Sequence, residues 1–305
     1  MLHPFEEALK ERNIPYRKNV LTKELCTFRI GGICRYLITP LCQGELISAV
    51  QLCRAFDVPF YILGRGSNAL FSDKPFCGAL IRTAELNATR LEGDHLISDC
   101  GALLPRLVRL ATTRGFADLA FAAGIPGTLG GGVRMNAGAH GQCLGDIVEW
   151  AKVLDISSGE IRTLFNNELS FSYRKSVLQG NNYVVLQACL HLRHTADPER
   201  IAAHTQALLR QRAASQPLDF PSAGSVFLRT NEGVSMGKII EDLGLKGTRC
   251  GGAEISRKHG GFIVNVGGAT ALDVCRLIRL VKIVTKQKLG FVPQTEICFF
   301  EIEEV

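Results

Sequence analysis

The 305-residue chain lacks several features that mark broad classes of protein. Its formal net charge is only +6, and its lysines and arginines do not gather into runs with interleaved aromatic residues, so nucleic-acid binding is not expected. No segment reaches the ~18 consecutive apolar residues of a membrane span, and the N-terminal residues lack the apolar core of a signal peptide. We therefore expect a cytoplasmic protein that binds neither nucleic acid nor a membrane, and whose mild positive charge suits small anionic ligands.

The spacing of the cysteines and histidines gives no metal-binding motif. The 11 cysteines are spread from Cys26 to Cys298, and none forms a Cys-x-x-Cys pair. His191 and His194 are close in sequence, but at the end of a strand this spacing points the two side chains to opposite faces of the sheet. We therefore expect reduced, mostly buried thiols, no disulfide framework and no bound metal.

Glycine, in contrast, is concentrated in the segment Phe121–Gly141. Its seven glycines are Gly124, Gly127, Gly130, Gly131, Gly132, Gly138 and Gly141. Glycine permits a positive φ and lets a ligand or another backbone approach closely, and successive exposed N–H groups form nests that bind phosphate oxygens. The segment therefore indicates either a backbone cradle for a cofactor that carries a diphosphate or a turn at which elements pack closely.

A second glycine turn, Gly64–Ala69, matches the relaxed form of the dinucleotide-binding fingerprint. That fingerprint requires a helix to begin directly after it. Here the residues that follow, Leu70–Pro75, are turn-like and contain a proline, so we reject a Rossmann unit. A second phosphate-binding turn remains plausible. It would be built from Gly64, Gly66, Ser67 and Asn68.

Hydrophobic periodicity predicts short strands mixed with helices that do not alternate regularly with them. Helices are predicted at residues 4–13, 44–56, 103–114, 198–215, 237–243 and 270–288, and strands at 58–63, 78–82, 95–100, 147–156, 160–164, 183–192, 261–266 and 296–302. Two more short strands are predicted on either side of Gly31-Gly32, and Thr270 with Asp273 forms an N-terminal capping pair. This mixture predicts the α+β class and not one doubly wound parallel sheet.

Three polar residues are candidates for chemistry. Arg174 lies in a loop rich in hydroxyl groups, Ser225 stands between a glycine and bulky apolar residues, and Glu296 begins an apolar strand. From their spacing alone, each also fits a structural explanation: a surface arginine, a serine that bonds to its own turn, and a solvent-facing strand end.

Seven sequence segments occur in a fixed order along the chain: Thr27–Gly32, Leu63–Asn68, Ala123–Gly141, Phe171–Ser176, Ser222–Phe227, Gly237–Gly247 and Gly252–Asn265. Together they closely resemble the UDP-N-acetylenolpyruvoylglucosamine reductase (MurB) family of peptidoglycan synthesis. The resemblance extends from about residue 20 to the end of the chain. Because seven ordered segments match, the resemblance is specific in a way that no single segment would be.

The resemblance implies a fold and a domain organisation. It implies a two-part FAD-binding region of the vanillyl-alcohol-oxidase (PCMH) type, followed by a smaller α+β substrate-binding domain. In this chain we expect an N-terminal segment at 1–24, the FAD-binding domain at 25–194 and the substrate-binding domain at 195–305. The spacing from Arg174 to Ser225 resembles the shorter subclass, which lacks the substrate-covering tyrosine loop.

The resemblance also implies site residues. FAD would be held without a covalent link by Gly64, Arg65, Gly66, Ser67, Asn68, Gly124, Ile125, Pro126, Gly127, Thr128, Gly130, Gly131, Asn136, Ala137 and Gly138. Arg174, Ser225 and Glu296 match the family's catalytic arginine, serine and glutamate, and the substrate would contact Tyr173, Arg174, Lys246, His259 and Asn265. The chain departs from the family pattern at Gly132, His140, Leu228-Arg229-Thr230 and Pro293.

The activity that the resemblance implies is the NADPH-dependent reduction of UDP-N-acetylglucosamine enolpyruvate to UDP-N-acetylmuramate, through FAD, by a monomer. A different flavin oxidase or dehydrogenase of the same fold is one alternative. A non-catalytic protein that binds nucleotide sugars is another. Oxygen reactivity together with indifference to UDP-sugars would indicate the first alternative, and the absence of flavin uptake would indicate the second.

Overall fold

A computed structural model describes residues 4–180, 182–193 and 196–302. The helices are α1 Pro4–Glu11, α2 Gln43–Ala55, α3 Leu104–Thr113, α4 Leu129–Arg134, α5 Asn166–Leu169, α6 Pro198–Ser215, α7 Met236–Asp242 and α8 Ala271–Leu289. None of the helices in these ranges is long and apolar enough to cross a membrane.

The strands are mostly short. They are β1 Tyr16–Leu21, β2 Ile33–Ile38, β3 Phe60–Leu63, β4 Ala69–Phe71, β5 Phe76–Arg82, β6 Thr89–Glu92, β7 His95–Asp99, β8 Gly138–Ala139, β9 Gln142–Cys143, β10 Val148–Asp155, β11 Ile161–Phe165, β12 Tyr183–His191, β13 Ser222–Ser225, β14 Arg249–Cys250, β15 Ala253–Ile255, β16 Phe262–Asn265 and β17 Cys298–Phe300. Helices and strands do not alternate regularly, which confirms the predicted α+β class.

The chain forms two compact units. The first contains residues 1–18, 36–65 and 78–210, and the second contains residues 19–35, 66–77 and 211–305. A four-stranded sheet has the order β1-β2-β5-β3, in which β3 and β5 pair in parallel with Phe60 opposite Ala79.

A five-stranded antiparallel sheet dominates the first unit. Its order is β11-β10-β12-β7-β6, and the long central strand β12 is largely buried because its sequence is almost continuously apolar. Helix α3 buries Leu104, Leu107, Val108 and Ala111 on one face, as the 3.6-residue periodicity predicts. The helix ends before Gly115, whose φ of 82° fits its position just after the last turn.

The second unit contains the sheet β13-β16-β15-β14 and the helix α8. The predicted capping pair of α8 is confirmed, since Asp273 N donates to Thr270 Oγ1 at 3.1 Å and Thr270 N donates to Asp273 Oδ2 at 3.0 Å. Gly290, with a φ of 82°, ends the helix. These local signals determine both ends of the longest helix.

The two units do not follow the predicted boundaries at residues 24 and 194. Residues 19–35 and 66–77 belong to the same unit as the C-terminal part because they bond to it. Thr27 Oγ1 donates to Ser222 O at 2.7 Å, Asn265 Nδ2 donates to Phe28 O at 3.2 Å, and β17 pairs in parallel with β4. The functional roles given to the three predicted segments stay predictions.

Several segments differ locally from the sequence-based prediction, and the elements β1, α4, α5 and β13–β15 were not predicted. Within 25–40, only β2 forms a strand, because Thr27–Gly32 is held as an irregular segment by backbone bonds such as Gly32 N to Ser72 O at 2.8 Å. The segment after Asn68 forms the strand β4 and not a turn, and the strand β6 was not predicted. The strand after Ala69 agrees with the rejection of a Rossmann unit, which requires a helix there.

Candidate functional site

The predicted site residues divide between the two units. The first unit contains Gly64, Arg65, Gly124, Ile125, Pro126, Gly127, Thr128, Gly130, Gly131, Asn136, Ala137, Gly138, Tyr173 and Arg174, and the second contains Gly66, Ser67, Asn68, Ser225, Lys246, His259, Asn265 and Glu296.

The glycines of Phe121–Gly141 serve mainly for close approach. Up to Gly138 none of them has a positive φ, and the run Gly130–Gly132 lies inside α4. An ideal Cβ on Gly130 would lie 2.7 Å from Cys100 Cβ, and one on Gly132 would lie 2.7 Å from Leu144 Cδ1. Close packing, one of the two explanations that the sequence left open, therefore accounts for Gly130 and Gly132.

The two glycine turns meet at Gly64 and Thr128. A Cβ on Gly64 would lie 2.4 Å from Thr128 Oγ1, so only glycine permits this approach. Thr128 is buried and caps α4, accepting a bond from Gly131 N at 3.4 Å. Apart from the backbone of α4, the nearest atom to a Cβ on the exposed Gly131 would be Thr128 Oγ1 at 3.5 Å. The space over Gly131 is thus open and bordered by the Thr128 hydroxyl, which fits a phosphate-bearing cofactor.

Arg174 is fixed to the glycine segment by a hydrogen bond. The backbone bonds from Ser172 N to Lys175 O and back, both at 3.1 Å, close a tight turn with Tyr173 and Arg174 at its tip. Arg174 has a φ of 55°, and its Nη2 donates to Gly138 O at 2.9 Å. The guanidinium also lies 5.3 Å from the centre of the Tyr173 ring. The bond to an uncharged carbonyl fixes the guanidinium without itself neutralising the positive charge.

The arginine turn is anchored by a buried asparagine. Asn136 Nδ2 donates to Ser172 O at 2.8 Å, and Asn136 Oδ1 accepts from Gly145 N at 2.8 Å. Ser176 Oγ donates to Arg134 O at 2.6 Å on the other side of the turn. Asn136 therefore has a positioning role in this structure, and a direct contact between its side chain and the cofactor stays a prediction.

In the second unit, Gly66 of the glycine turn Gly64–Ala69 packs against the segment before Thr27. Gly66 has a φ of 68°, and its ideal Cβ would lie 2.4 Å from Leu25 O and 2.8 Å from Cys26 Cα. Thr27 N donates to Gly66 O at 3.2 Å. The resemblance segment that begins at Thr27 thus holds the turn by backbone contacts.

Asn68 and Val226 hold the backbone of Glu296 from two directions. Asn68 Nδ2 donates to Glu296 O at 3.0 Å, and Glu296 N donates to Val226 O at 2.7 Å. Cys298 N donates to Asn68 O at 2.8 Å. The segment of the candidate glutamate is therefore connected both to the glycine turn and to the segment of the candidate serine.

Ser225 ends the strand β13 next to a kink. Gly224 has a φ of 80°, and the pairing of β13 with β16 shifts its register before Ser225. Val226 N donates to Gly261 O at 2.8 Å, and Ser225 Oγ donates to Phe227 O at 3.3 Å. The hydroxyl is half-buried, and its long bond is one that a substrate atom can replace.

His259 and Lys246 form a second polar group in this unit. Burial lowers the pKa of the His259 imidazole, and the nearby charge of Lys246 acts in the same direction. His259 Nδ1 accepts a bond from Gly261 N at 3.1 Å, so the neutral form with an unprotonated Nδ1 is the one that fits. Lys246 Nζ pairs with Glu241 Oε1 at 3.1 Å.

Asn265 is occupied by the backbone of its own unit. Its Nδ2 donates to Phe28 O at 3.2 Å and Arg29 O at 3.3 Å, and its Oδ1 accepts from Gly267 N and Ala269 N. Because both ends of the amide are used, the structure gives Asn265 a positioning role, and its predicted substrate contact stays a prediction.

One sequence match is resolved by local structure. Residues 233–237 read G-x-S-x-G, the spelling of the nucleophile elbow of α/β-hydrolases. Ser235 has a φ of −69° and a ψ of 125° and is the N-cap of α7. This is an ordinary extended cap and not a strained turn between a strand and a helix, so Ser235 is not a candidate nucleophile.

One pair of candidate residues, His95 and His191, cannot be found from spacing along the sequence. His194 lies outside the described residues, so the predicted relation between His191 and His194 is untested. His191 lies opposite His95 in the pairing of β12 with β7. Only the strand register reveals that pair, because the two histidines are far apart in the sequence.

Two family models match most of the chain. The model described as "FAD binding domain" matches residues 34–164, and the model described as "UDP-N-acetylenolpyruvoylglucosamine reductase, C-terminal domain" matches residues 216–300. The two matches cover the segment with the glycine turns and α4 and the segment with Ser225 and Glu296.

Curated relatives match along nearly the full chain. The UDP-N-acetylenolpyruvoylglucosamine reductase of Caldanaerobacter subterraneus subsp. tengcongensis is 40% identical over 290 residues, which are 95% of this chain and 94% of that protein. The enzyme of the same name from Caldicellulosiruptor bescii is 41% identical over 297 residues, covering 97% of this chain and 94% of that protein. The crystal structure of the reductase from Thermus caldophilus has a TM-score of 0.80 and 34% identity, covering 94% of this chain and 99% of that one.

The site residues of the first unit fit the cofactor that these comparisons indicate. The open space over the exposed Gly131 and the close approach of Gly64 to Thr128 are suited to the diphosphate of FAD. FAD is the cofactor, and the chain is an FAD-dependent oxidoreductase of peptidoglycan precursor synthesis. With the identity, the coverage and the fold in agreement, the chain belongs to the UDP-N-acetylenolpyruvoylglucosamine reductase family.

Proposed function

We propose that this protein reduces the enolpyruvyl ether of UDP-N-acetylglucosamine to UDP-N-acetylmuramate, with NADPH as the source of electrons. The observation that carries the proposal is the bond from Arg174 Nη2 to Gly138 O at 2.9 Å. It supports the proposal because it holds a positive charge at a fixed position on the glycine segment, and a fixed guanidinium suits an anionic substrate group.

FAD, when bound, supplies the transfer of a hydride from NADPH to the substrate. The residues proposed to hold it are Gly64, Arg65, Gly66, Ser67, Asn68, Gly124, Ile125, Pro126, Gly127, Thr128, Gly130, Gly131, Asn136, Ala137 and Gly138. Exposed backbone N–H groups of glycine turns are suited to phosphate oxygens. Pro126 has no N–H, and the N–H groups of Ile125, Gly130, Asn136 and Ala137 already donate to carbonyl groups of the protein, so these five residues would line the site by shape and not as backbone donors. The sequence contains no sign of a covalent attachment site, so non-covalent binding is part of the proposal.

Arg174 stabilises negative charge on the substrate. Addition of a hydride to the terminal enol carbon leaves charge on the neighbouring carbon and on its carboxylate. A guanidinium pairs with a carboxylate through two parallel N–H bonds, and such a pre-positioned charge lowers the barrier. The anchor at Gly138 O reduces the reorganisation that this role would otherwise require.

Ser225 donates the proton that completes the reduction. Its Oγ–H, which bonds to Phe227 O at 3.3 Å, turns to the substrate carbon that carries the negative charge. Hydride and proton then add across one carbon–carbon double bond, and the ether linkage to the sugar is unchanged. Glu296, as a neutral carboxylic acid, donates a hydrogen bond that stabilises the same charge.

The remaining polar residues bind the substrate. Lys246 is proposed to pair with a phosphate oxygen of the UDP group, since a flexible ammonium suits a point contact with phosphate. His259 and Tyr173 contribute further contacts. Asn265 is proposed to act through the backbone that it holds, in keeping with its four bonds to that backbone.

Absorbance spectroscopy under anaerobic conditions tests the proposal. The purified protein should be yellow, NADPH should bleach it, and the enolpyruvyl substrate should then restore the colour with one equivalent of UDP-N-acetylmuramate formed. Rapid reoxidation by oxygen with no response to the UDP-sugar would instead indicate a different flavin oxidase. A colourless protein that takes up no added FAD would indicate a nucleotide-sugar binder. NADH in place of NADPH measures the nicotinamide preference.

A further inference from the structure

A group of titratable side chains lies in the first unit and has no role in the proposed reaction. Asp94 is in the turn between β6 and β7, His95 begins β7, and His191 ends β12. We call these three residues the histidine–aspartate cluster. Among the described residues, it is a group whose potential ligand atoms all lie within 4.8 Å of one another.

The backbone fixes the relative positions of the three residues. His95 and His191 are directly opposite each other in the antiparallel pairing of β7 with β12. Leu192 N donates to Asp94 O at 2.8 Å, and His191 N donates to Ile147 O at 2.8 Å. The cluster is therefore built on paired strands and is not a chance meeting of mobile side chains.

The side chains already converge on the Asp94 carboxylate. His95 Nδ1 lies 2.7 Å from Asp94 Oδ1, and His191 Nε2 lies 2.9 Å from Asp94 Oδ2. A tetrahedral ion with bonds of ~2.0–2.2 Å separates its ligand atoms by about 3.4 Å, so these two nitrogen–oxygen distances must lengthen by about 0.5–0.7 Å.

A fourth residue orients one of the histidines. Glu149 Oε2 lies 3.0 Å from His95 Nε2, on the side of the ring opposite Asp94. A carboxylate that accepts the N–H of one ring nitrogen leaves the other nitrogen unprotonated and directed to a metal, which is the usual arrangement around histidine ligands. Glu149 itself is held on β10 and accepts a bond from Cys189 Sγ at 3.5 Å.

We propose that Asp94, His95 and His191 bind a divalent first-row transition-metal ion, with Zn²⁺ as the expected ion and Glu149 as a positioning residue. Two imidazoles and one carboxylate are the ligands of an open zinc site, whereas Mg²⁺ and Ca²⁺ prefer oxygen alone. Water would fill the fourth position, since the side chains of Asp94, His95 and His191 are 49%, 36% and 31% exposed.

Binding of one ion by both histidines also requires one imidazole ring to rotate. The two imidazole rings are stacked with centres 4.8 Å apart and planes only 7° from parallel, so a single ion cannot lie in both ring planes. His191 must rotate about χ2, a torsion with a broad energy minimum, and its partial exposure leaves room for this. His95 stays in place because Asp94 and Glu149 hold both of its ring nitrogens.

Calorimetric titration of the flavin-loaded protein with Zn²⁺ tests the proposal. The titrations are made in a Cys42→Ser/Cys77→Ser background, because these two exposed thiols would compete for the ion. We expect one equivalent of Zn²⁺ to bind and to raise the melting temperature. His95→Ala, His191→Ala and Asp94→Asn should each abolish this binding event. Glu149→Ala should keep the stoichiometry and weaken the affinity by ~10–100-fold.

His204→Ala is the matched control, since this histidine is exposed on α6 and belongs to no such group. It should bind Zn²⁺ as the parent does. Circular dichroism confirms that each variant is folded, and Asp94→Asn, which keeps its shape, provides a second variant if a histidine variant is not. Binding that is unchanged in His95→Ala and His191→Ala, or no saturable binding in the parent, would overturn the proposal and leave the cluster as histidine–carboxylate ion pairs.

Discussion

Asn68 donates a hydrogen bond from its side-chain amide to the backbone carbonyl of Glu296, with an N···O distance of 3.0 Å across 228 residues of sequence. The same asparagine accepts a bond from Cys298 N at 2.8 Å, where β17 begins its parallel pairing with β4. Asn68, which belongs to the glycine turn Gly64–Ala69, therefore sets the position of the candidate catalytic glutamate. Loss of this bond should displace Glu296 and thereby lower the catalytic rate.

The first prediction concerns this bond. Asn68→Asp keeps the shape of the side chain but replaces the N–H donor with an acceptor that repels the Glu296 carbonyl. We expect a loss of about 1–3 kcal/mol in the free energy of unfolding and a fall in kcat of up to ~10²-fold from misplacement of Glu296. Both are measured on flavin-saturated protein, and Asn87→Asp, in a turn of the first unit, is the matched control. Unchanged kcat in Asn68→Asp would contradict a positioning role for Asn68.

The second prediction separates packing from cofactor binding within α4. Gly130→Ala would place its Cβ 2.7 Å from Cys100 Cβ, so the protein should lose stability. Gly131→Val has open space within the protein, so the fold should survive while the branched side chain occupies the position proposed for phosphate and releases FAD. Melting temperature and flavin content per chain distinguish the two effects. Normal flavin content in Gly131→Val would leave only the packing role for this glycine.

The third prediction concerns the charge at Arg174. Arg174→Lys keeps the charge but loses the planar pair of donors and the fork that bonds Gly138 O. We expect kcat to fall by at least ~10-fold at saturating substrate, while the flavin content is unchanged. Arg109→Lys, exposed on α3, serves as the control. Turnover at the parental rate in Arg174→Lys would exclude a two-point contact with the substrate carboxylate.

The fourth prediction concerns thiol reactivity. Burial raises the pKa of both Cys53 and Cys100 to about 12, whereas Cys42 and Cys77 are exposed. The thiolate is the reactive form, and at pH 8 a thiol with a pKa of 12 is ionised to about one part in ten thousand. Iodoacetamide at this pH should therefore modify Cys42 and Cys77 first, and a higher pH alone should not bring Cys100 into reaction before the protein unfolds. Peptide mass spectrometry measures the order, and early labelling of Cys100 would contradict its burial.

Sequence reasoning was strongest where the signal and the structure are local. The capping pair Thr270 and Asp273 predicted the start of α8, and the periodicity of α3 predicted its buried face. The glycine content of Phe121–Gly141 left open whether the segment is a cofactor cradle or a place of close packing. Gly130 and Gly132 are helical, and they are required because Cys100 and Leu144 lie against them, which no local sequence pattern reveals.

Contacts between segments that are distant in the sequence could not be predicted from the spacing of residues along the chain. The bond from Asn68 to Glu296 depends on the pairing of β4 with β17, and the meeting of His95 with His191 depends on the register of β7 with β12. Along the sequence, the histidine near His191 is His194, whereas the strand pairing places His95 opposite His191. The composition of the two compact units depends on such contacts as well, since residues 19–35 and 66–77 bond to the C-terminal part.

The last prediction concerns Ser225, whose proposed role belongs to only one half of the reaction. In the first half-reaction NADPH reduces FAD, which requires no acid at the substrate carbon. In the second half-reaction the substrate carbon must receive a proton, which requires an acid. Ser225→Ala should therefore be bleached by NADPH at nearly the parental rate and should then regain its colour at least ~10²–10⁴-fold more slowly when the enolpyruvyl substrate is added. Stopped-flow absorbance measures the two halves separately.

The contacts of Ser225 indicate that Ser225→Ala removes the hydroxyl without disturbing the strand. Its Oγ makes one long bond, 3.3 Å to Phe227 O, and the strand is held by backbone bonds such as Val226 N to Gly261 O that do not involve the side chain. Removal of the hydroxyl should therefore leave β13 in place, and Ser222→Ala on the same strand controls for general effects. Ser225→Cys should retain part of the second half-reaction, because a thiol also donates a proton. Equal slowing of both halves in Ser225→Ala would make this serine structural and would leave Glu296 as the next candidate for the proton donor.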